Sequence, residues 1–273
     1  MTLKQIMRPI KQFVAGLLAT ITGNFVAQML LQRLSFYVNY LMGVGAGAQT
    51  SSSGESKVLQ NLLHRGGLYP VIFDVGANQG QFLSLVLDKV NALDSQIHCF
   101  EPSKDAFAAL AVAFRERPNV HLNNIALAAE PGEANLYFDQ FGSGLASLTR
   151  RRLDHFGLAH DRHEIVTLDT VDDYCDAHEI DEITLLKIDV EGHELDVLRG
   201  AAGMIGKKAV AAVTFEFGGC NIDTRTFFQD YWYFFEGSNM SLYRVTPSGY
   251  LHPIKAYSEA LEQMVTTNFV AIR

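Results

Sequence analysis

The stretch Val71-Ile-Phe-Asp-Val-Gly-Ala-Asn-Gln-Gly80 constrains this chain more than any other. Four apolar residues surround a single acid, Asp74. A glycine turn follows, and Phe82, Leu83, Val86 and Leu87 then recur at helical spacing. That pattern is a buried strand, a tight turn and a helix. Turns at the carboxyl ends of parallel strands are where open α/β sheets hold their ligands.

The glycines of this turn are not the G-x-G-x-x-G arrangement that lets backbone approach a pyrophosphate. Gly76 and Gly80 stand four apart, with Asn78 between them. Asn is the residue that best replaces Gly where φ is positive. Asp74 places a carboxylate at the strand end, which suits a ligand ammonium better than a phosphate. Taken alone, the stretch also fits an ordinary strand-to-helix turn. The next strand separates the two readings. Gln96-Ile-His-Cys-Phe-Glu101 is extended and is stopped by Pro102. Glu101 therefore ends a second strand one βα unit after Asp74, where an acidic residue accepts hydrogen bonds from ribose hydroxyls. Asp on the first strand and Glu on the second fit S-adenosylmethionine, which carries an amino acid and a ribose but no phosphate.

The α/β alternation continues. Ser103 is a good N-cap for a helix whose apolar face is Ala106, Phe107, Leu110 and Phe114. Val120–Asn124 reads as a third strand. Asn124 at its end is either a turn-forming residue or an amide facing adenine. The candidate cofactor-binding set is thus Asp74, Gly76, Asn78, Gly80, Glu101, Pro102, Ser103 and Asn124. Residues 139–163 lack periodicity and carry Arg150-Arg-Arg152. A long loop of this kind is read as a substrate-facing region, and the arginines as an anion site or a solvated charge run. His155, His160 and His163 form no recognised ligand spacing with neighbouring acids, so no metal is expected.

Ile183–Val190 is nearly continuously apolar, as in a strand buried on both faces. Within it, Lys187 must pair with a carboxylate or emerge at an edge. Asp189 and Glu191 are two apart, so in extended chain they point the same way. With His193, and with Glu216 at the end of the strand Val210–Phe217, they make a catalytic set for deprotonating an acceptor hydroxyl. The alternative is helix capping by Glu191 and Glu194, with Asp189 holding loop amides. Glu216 with Asn221, Asp223 and Arg225, ahead of an aromatic helix, is also the candidate acceptor-binding wall. Leu242–Val245 and Thr267–Ile272 complete the sheet.

The runs Asp74-Val-Gly-Ala-Asn-Gln-Gly80, Phe100-Glu-Pro-Ser103, Asn124-Ile-Ala-Leu127 and Leu186-Lys-Ile-Asp-Val-Glu-Gly-His-Glu194 resemble the FkbM family of S-adenosylmethionine-dependent methyltransferases. The last run is the most specific, and the likeness covers residues 70–273. It implies a Rossmann-like class I methyltransferase fold: a doubly wound, seven-stranded, mostly parallel sheet with an antiparallel last strand. It further implies O-methylation of a sugar, glycan or secondary metabolite. Two rivals stand beside it. One is an NAD(P)-dependent oxidoreductase, and the other a non-catalytic module that keeps the cofactor pocket.

Residues 1–54 differ from the rest and are read as an N-terminal helical segment with a Gly/Ser-rich linker or lid; residues 55–273 form the methyltransferase domain. Lys4, Arg8 and Lys11 share one helical face, and Ile10, Val14, Leu17 and Ile21 another. Residues 1–40 are therefore expected to pack on the domain or a partner, or to rest on a membrane surface. A net charge of −8 argues against nucleic acid as a partner. Cys99, Cys175 and Cys220 are far apart and fit buried thiols in a reducing cytoplasm.

Overall fold

The computed structural model describes residues 15–16, 18–47, 53–65, 69–89 and 95–273. They fall into two compact units, 1–42 and 43–273. In the first, helix α1 (Phe25–Leu41) is capped by Asn24, whose side-chain oxygen accepts from Ala27 N. None of its residues is buried, and Phe25, Leu30, Leu34, Phe36 and Tyr37 are exposed. Of the amphipathic face expected near the start, Lys4, Ile10, Val14 and Leu17 lie outside the described residues. Among the described residues no helix is long and apolar enough to cross a membrane.

The second unit begins twelve residues before the boundary expected at 54/55. The reason is local: Gly45 N donates to Thr267 Oγ1 at 3.1 Å and Gly47 N to Thr266 O at 3.0 Å. These glycines are part of the folded domain; residues 48–52 lie outside the described residues.

Chain order in this unit is α2 (Glu55–Arg65), β1 (Val71–Val75), α3 (Gln81–Leu87), β2 (Gln96–Phe100), α4 (Lys104–Phe114), β3 (Val120–Asn123), β4 (Ala126–Leu127), β5 (Gly132–Phe138), β6 (Arg162–Asp169), α5 (Val171–Ala177), β7 (Ile183–Ile188), α6 (Glu194–Gly200), α7 (Ala202–Gly206), β8 (Val210–Phe217), α8 (Cys220–Thr224), α9 (Phe228–Gly237), β9 (Ser241–Val245), β10 (Leu251–Ile254) and β11 (Thr267–Ile272). The main sheet runs β10-β9-β11-β8-β7-β1-β2-β3. Its core is the expected doubly wound, seven-stranded class I arrangement, with β11 antiparallel to both β8 and β9. An eighth strand, β10, extends the edge. It lies in the link between the two expected strands Leu242–Val245 and Thr267–Ile272. Strands β4, β6 and β5 form a small second sheet.

The strand order reverses between β1 and β7, so the tips there open onto a crevice. Side chains alternate across the sheet. One face carries Phe73, Val75, Leu186, Ile188, Phe215 and Phe217 into the larger core, packed by α6 and α9. The other face reads in three rows. Ile72, Leu185, Ala212 and Ile272 are apolar and lie in the second core with Val58, Leu59 and Leu83. Asp74, Lys187, Thr214 and Val270 make the middle row. Asp189, Glu216 and Asn268 lie one pleat further toward the strand tips, with Glu216 and Asn268 directly opposite. This face is apolar at its base and polar at its tips.

Candidate functional site

Two hollows meet at the β1/β7 switch point. The first is a cleft lined by Gly76, Asn78, Glu101, Pro102, Asp189 and His193, among others. Its floor is fixed by backbone. Gly76 N and Ala77 N both donate to Phe100 O at 3.0 Å, tying the tips of β1 and β2 together. Gly76 has φ +78°, and a Cβ there would lie 1.8 Å from Asp189 O, so only glycine fits. Asn78 also takes a positive φ, +47°.

Glu101 is buried at this floor. One carboxylate oxygen accepts from Asn78 N and the other from Ser103 N, each at 2.8 Å. Burial pushes its carboxyl up to about 7, against the pull of those two amides. Asn78 Oδ1 is buried and has no hydrogen-bond partner among the described residues. The floor therefore offers acceptor oxygens to a ligand, while the Asn78 amide is already taken. Such a floor fits ribose hydroxyls and does not make the amide nest that a pyrophosphate needs.

The other members of the expected cofactor set play supporting parts. Asp74 does not meet a ligand ammonium. Its carboxylate has no exposed surface and pairs with Lys187 Nζ at 2.9 Å. Gly80 lies outside the cleft, and a Cβ there would lie 2.4 Å from the Phe114 ring. Ser103 caps α4, accepting from Ala106 N. Asn124 does not offer its amide to an adenine, because Nδ2 donates to Glu101 O at 2.8 Å and Pro102 O at 3.0 Å. Both residues hold the loop that presents Glu101.

The catalytic set is split. Asp189 lines the cleft and the second hollow, with its side chain 40% exposed and Oδ2 3.5 Å from Lys187 Nζ. Burial alone would lower the Lys187 ammonium, but Asp74 and Asp189 more than reverse this and hold it above its ordinary value. Glu191 pairs with Arg151. Burial pushes its carboxyl up to about 7 despite that partner. Both ring nitrogens of His193 are engaged, Nδ1 with Asp196 Oδ2 and Nε2 with Thr149 Oγ1, each at 2.9 Å. Glu216 faces the second hollow, not the cleft. Burial, reinforced by Asp189, raises its carboxyl well above the ordinary range.

The expected acceptor wall does not form. Asn221 is fully buried; its Oδ1 accepts from Gly218 N at 2.8 Å and its Nδ2 donates to Tyr231 OH at 3.2 Å. Asp223 pairs with Arg151 Nε at 3.6 Å, and Arg225 is exposed at the end of α8. Asn221 is thus spent on its own loop and Asp223 on holding Arg151.

Arg151 is the residue that sequence reasoning undervalued. It is 8% exposed and bridges Glu191 and Asp223, drawing the 139–163 loop to the end of β7. Ser147 Oγ donates to Glu191 O at 2.8 Å beside it. Arg151→Gln leaves two carboxylates facing each other and is expected to cost about 1–3 kcal/mol. Denaturant unfolding checks the loss, and hydrogen exchange of the Ser143–Leu153 amides should speed up. Unchanged exchange there would show that the bridge does not hold the loop.

The pattern described as the methyltransferase FkbM domain matches residues 74–238. Hexuronic acid methyltransferase AglP of Haloferax volcanii is 27% identical over 150 residues, which are 54% of this chain and 56% of that protein. The chain thus spans about half the length of this relative. Among solved structures, methyltransferase FkbM of Methylobacillus flagellatus KT matches 78% of this chain and 47% of its own at 14% identity and a TM-score of 0.45. Precorrin-6y C5,15-methyltransferase of Geobacter metallireducens GS-15 matches 80% and 88% at 9% identity and a TM-score of 0.41. With more than half its length inside the domain pattern, the chain belongs to the FkbM family of methyltransferases.

Proposed function

We propose that the protein uses S-adenosylmethionine to methylate a hydroxyl of a sugar. The observation that carries this reading is the floor of the cleft. Glu101 and the unpartnered Asn78 Oδ1 present acceptor oxygens to a nucleoside and offer nothing suited to a diphosphate. That chemistry disfavours the NAD(P) reading. The likeness to a hexuronic acid methyltransferase supports a sugar acceptor. Three buried, unpaired thiols support a reducing compartment, the cytoplasm.

When bound, the cofactor supplies an electrophilic methyl group on a sulfonium. The protein excludes water, aligns the hydroxyl and takes its proton. Asp189 is best placed for the proton. It stands where the two hollows meet and is partly exposed, while Glu191 is tied to Arg151 and both nitrogens of His193 are engaged.

Methyl transfer from labelled S-adenosylmethionine to a panel of methyl glycosides tests the reading, alongside calorimetric titration with S-adenosylhomocysteine. Asp189→Asn is expected to lower kcat about 100-fold or more while keeping the S-adenosylhomocysteine Kd within about twofold. Full activity in that variant removes Asp189 from the mechanism. Cofactor binding without transfer to any acceptor would favour the non-catalytic module.

A further inference from the structure

The second hollow adjoins the cleft and shares Gly76, Asn78 and Asp189 with it. It is a recess of about 220 Å3 lined by Gly47, Glu55, Gln81, Lys187, Asp189 and Glu216. Its inner end, about 20 Å3, reaches Thr214 and Asn268. That is room for one hydroxyl or one water. Asn268 is only 5% exposed, and among the described residues neither its Oδ1 nor its Nδ2 has a hydrogen-bond partner. Thr214 Oγ1 is likewise buried and unpartnered. Buried amides and hydroxyls are almost always satisfied, so three open polar atoms at one inner end point to a ligand. The chain also leaves space for Asn268: a Cβ on Gly47 would lie 2.9 Å from its Oδ1.

The charge around the recess narrows what that ligand is. Glu55, Asp74, Asp189 and Glu216 surround a single cation, Lys187. Burial, with a smaller push from Asp189, raises the Glu55 carboxyl against the pull of its hydrogen bond with Ser53. A carboxylate or phosphate entering here would meet repulsion. An ammonium would satisfy the carboxylates but leave Asn268 Nδ2 without an acceptor. A hydroxyl does both, donating to a carboxylate and accepting from the amide.

We infer that this recess is the acceptor subsite, that it seats a neutral, hydroxyl-rich ring with one hydroxyl between Glu216 and Asn268, and that it rejects uronates. The inference rests on the reading of the protein as a sugar O-methyltransferase and adds the charge class of the sugar, in which it departs from the hexuronic acid methyltransferase that the chain resembles at 27% identity. It also gives the three rows of the sheet face a purpose. The apolar base seals the domain, the Asp74–Lys187 pair forms the boundary, and the tips hold the acceptor.

The test uses the full chain with methyl glycosides of glucose, mannose and galactose, the matching uronates and the matching hexosamines. Neutral glycosides should be methylated with kcat/KM at least about tenfold above both charged series. Thr214→Val, which keeps the shape of the side chain, and Asn268→Leu should each raise the acceptor KM about tenfold. Both should keep S-adenosylhomocysteine Kd within about twofold. Uronates or hexosamines turned over as well as neutral sugars would overturn the inference, as would an unchanged acceptor KM in Thr214→Val. A loss of S-adenosylhomocysteine affinity in Asn268→Leu, with an unaltered melting temperature, would assign the recess to the cofactor instead. No transfer to any sugar by the wild type would remove the reading beneath it, and the inference with it.

Discussion

Lys187→Met should lower the unfolding free energy by about 3–5 kcal/mol, the cost of stranding a buried carboxylate. Asp74 has no exposed surface, and Lys187 Nζ is the cation beside it at 2.9 Å. The same ammonium donates to Gly76 O at 3.1 Å and lies 5.5 Å from the Phe82 ring centre. One side chain thus neutralises β1, holds the glycine turn and covers α3. The double variant Asp74→Leu with Lys187→Met removes both charges, so it should recover most of the loss. Urea unfolding of the two variants measures the difference. A single variant within about 1 kcal/mol of the wild type would show that Asp74 stays satisfied without Lys187.

Glu101→Gln should weaken S-adenosylhomocysteine binding about 100-fold, or about 2.7 kcal/mol. Both carboxylate oxygens accept from backbone amides, Asn78 N and Ser103 N. A glutamine must turn its NH2 toward one of those N–H groups, so the loop loses its anchor as well as its charge. The pH dependence carries a sign. Burial raises Glu101 from an ordinary 4.5 to about 7. In the free protein its contribution to stability is therefore full below pH 4.5 and lost as pH rises through about 7. Ligand hydroxyls prefer the ionised form, so affinity should fall as pH drops below about 7. Calorimetry between pH 5.5 and 8.5 on wild type and Glu101→Gln resolves this, with the slope expected only in the wild type. Glu191 titrates in the same range, so Glu191→Gln serves as the control and should keep the slope. A slope that survives Glu101→Gln would place the titrating group elsewhere.

Lys187 shows how far sequence reading reached. Its position inside an apolar strand required a buried partner, and the structure supplies Asp74 across the β1–β7 pairing. The same pairing takes Asp74 away from the cleft. A carboxylate at the tip of the first strand fits a ligand or a neighbouring lysine equally well on one-dimensional grounds. Only the register, with Asp74 beside Lys187, decides between them. Asp223 is taken by Arg151 and Arg152 of the distant 139–163 loop, and Asn221 failed for a local reason. Short polar residues after a Gly-Gly turn hydrogen-bond their own loop as readily as a ligand. Thr214 and Asn268 carried no motif. They come together because β11 runs back antiparallel beside β8 and sets Asn268 opposite Glu216.

Local chemistry in the chain itself determined the fold class, the strand-turn-helix units and the place of Glu101 at the tip of β2. Alternation, turn residues and strand-end acids act over a few positions, and their meaning survives without knowledge of neighbours. Tertiary structure alone decided which polar side chains face each other across strands far apart in sequence. Pairing of β1, β7, β8 and β11 assembles Asp74, Lys187, Glu216 and Asn268 on one face. A period of two fixes the side of the sheet each residue takes, but the choice of neighbouring strand belongs to the packed whole.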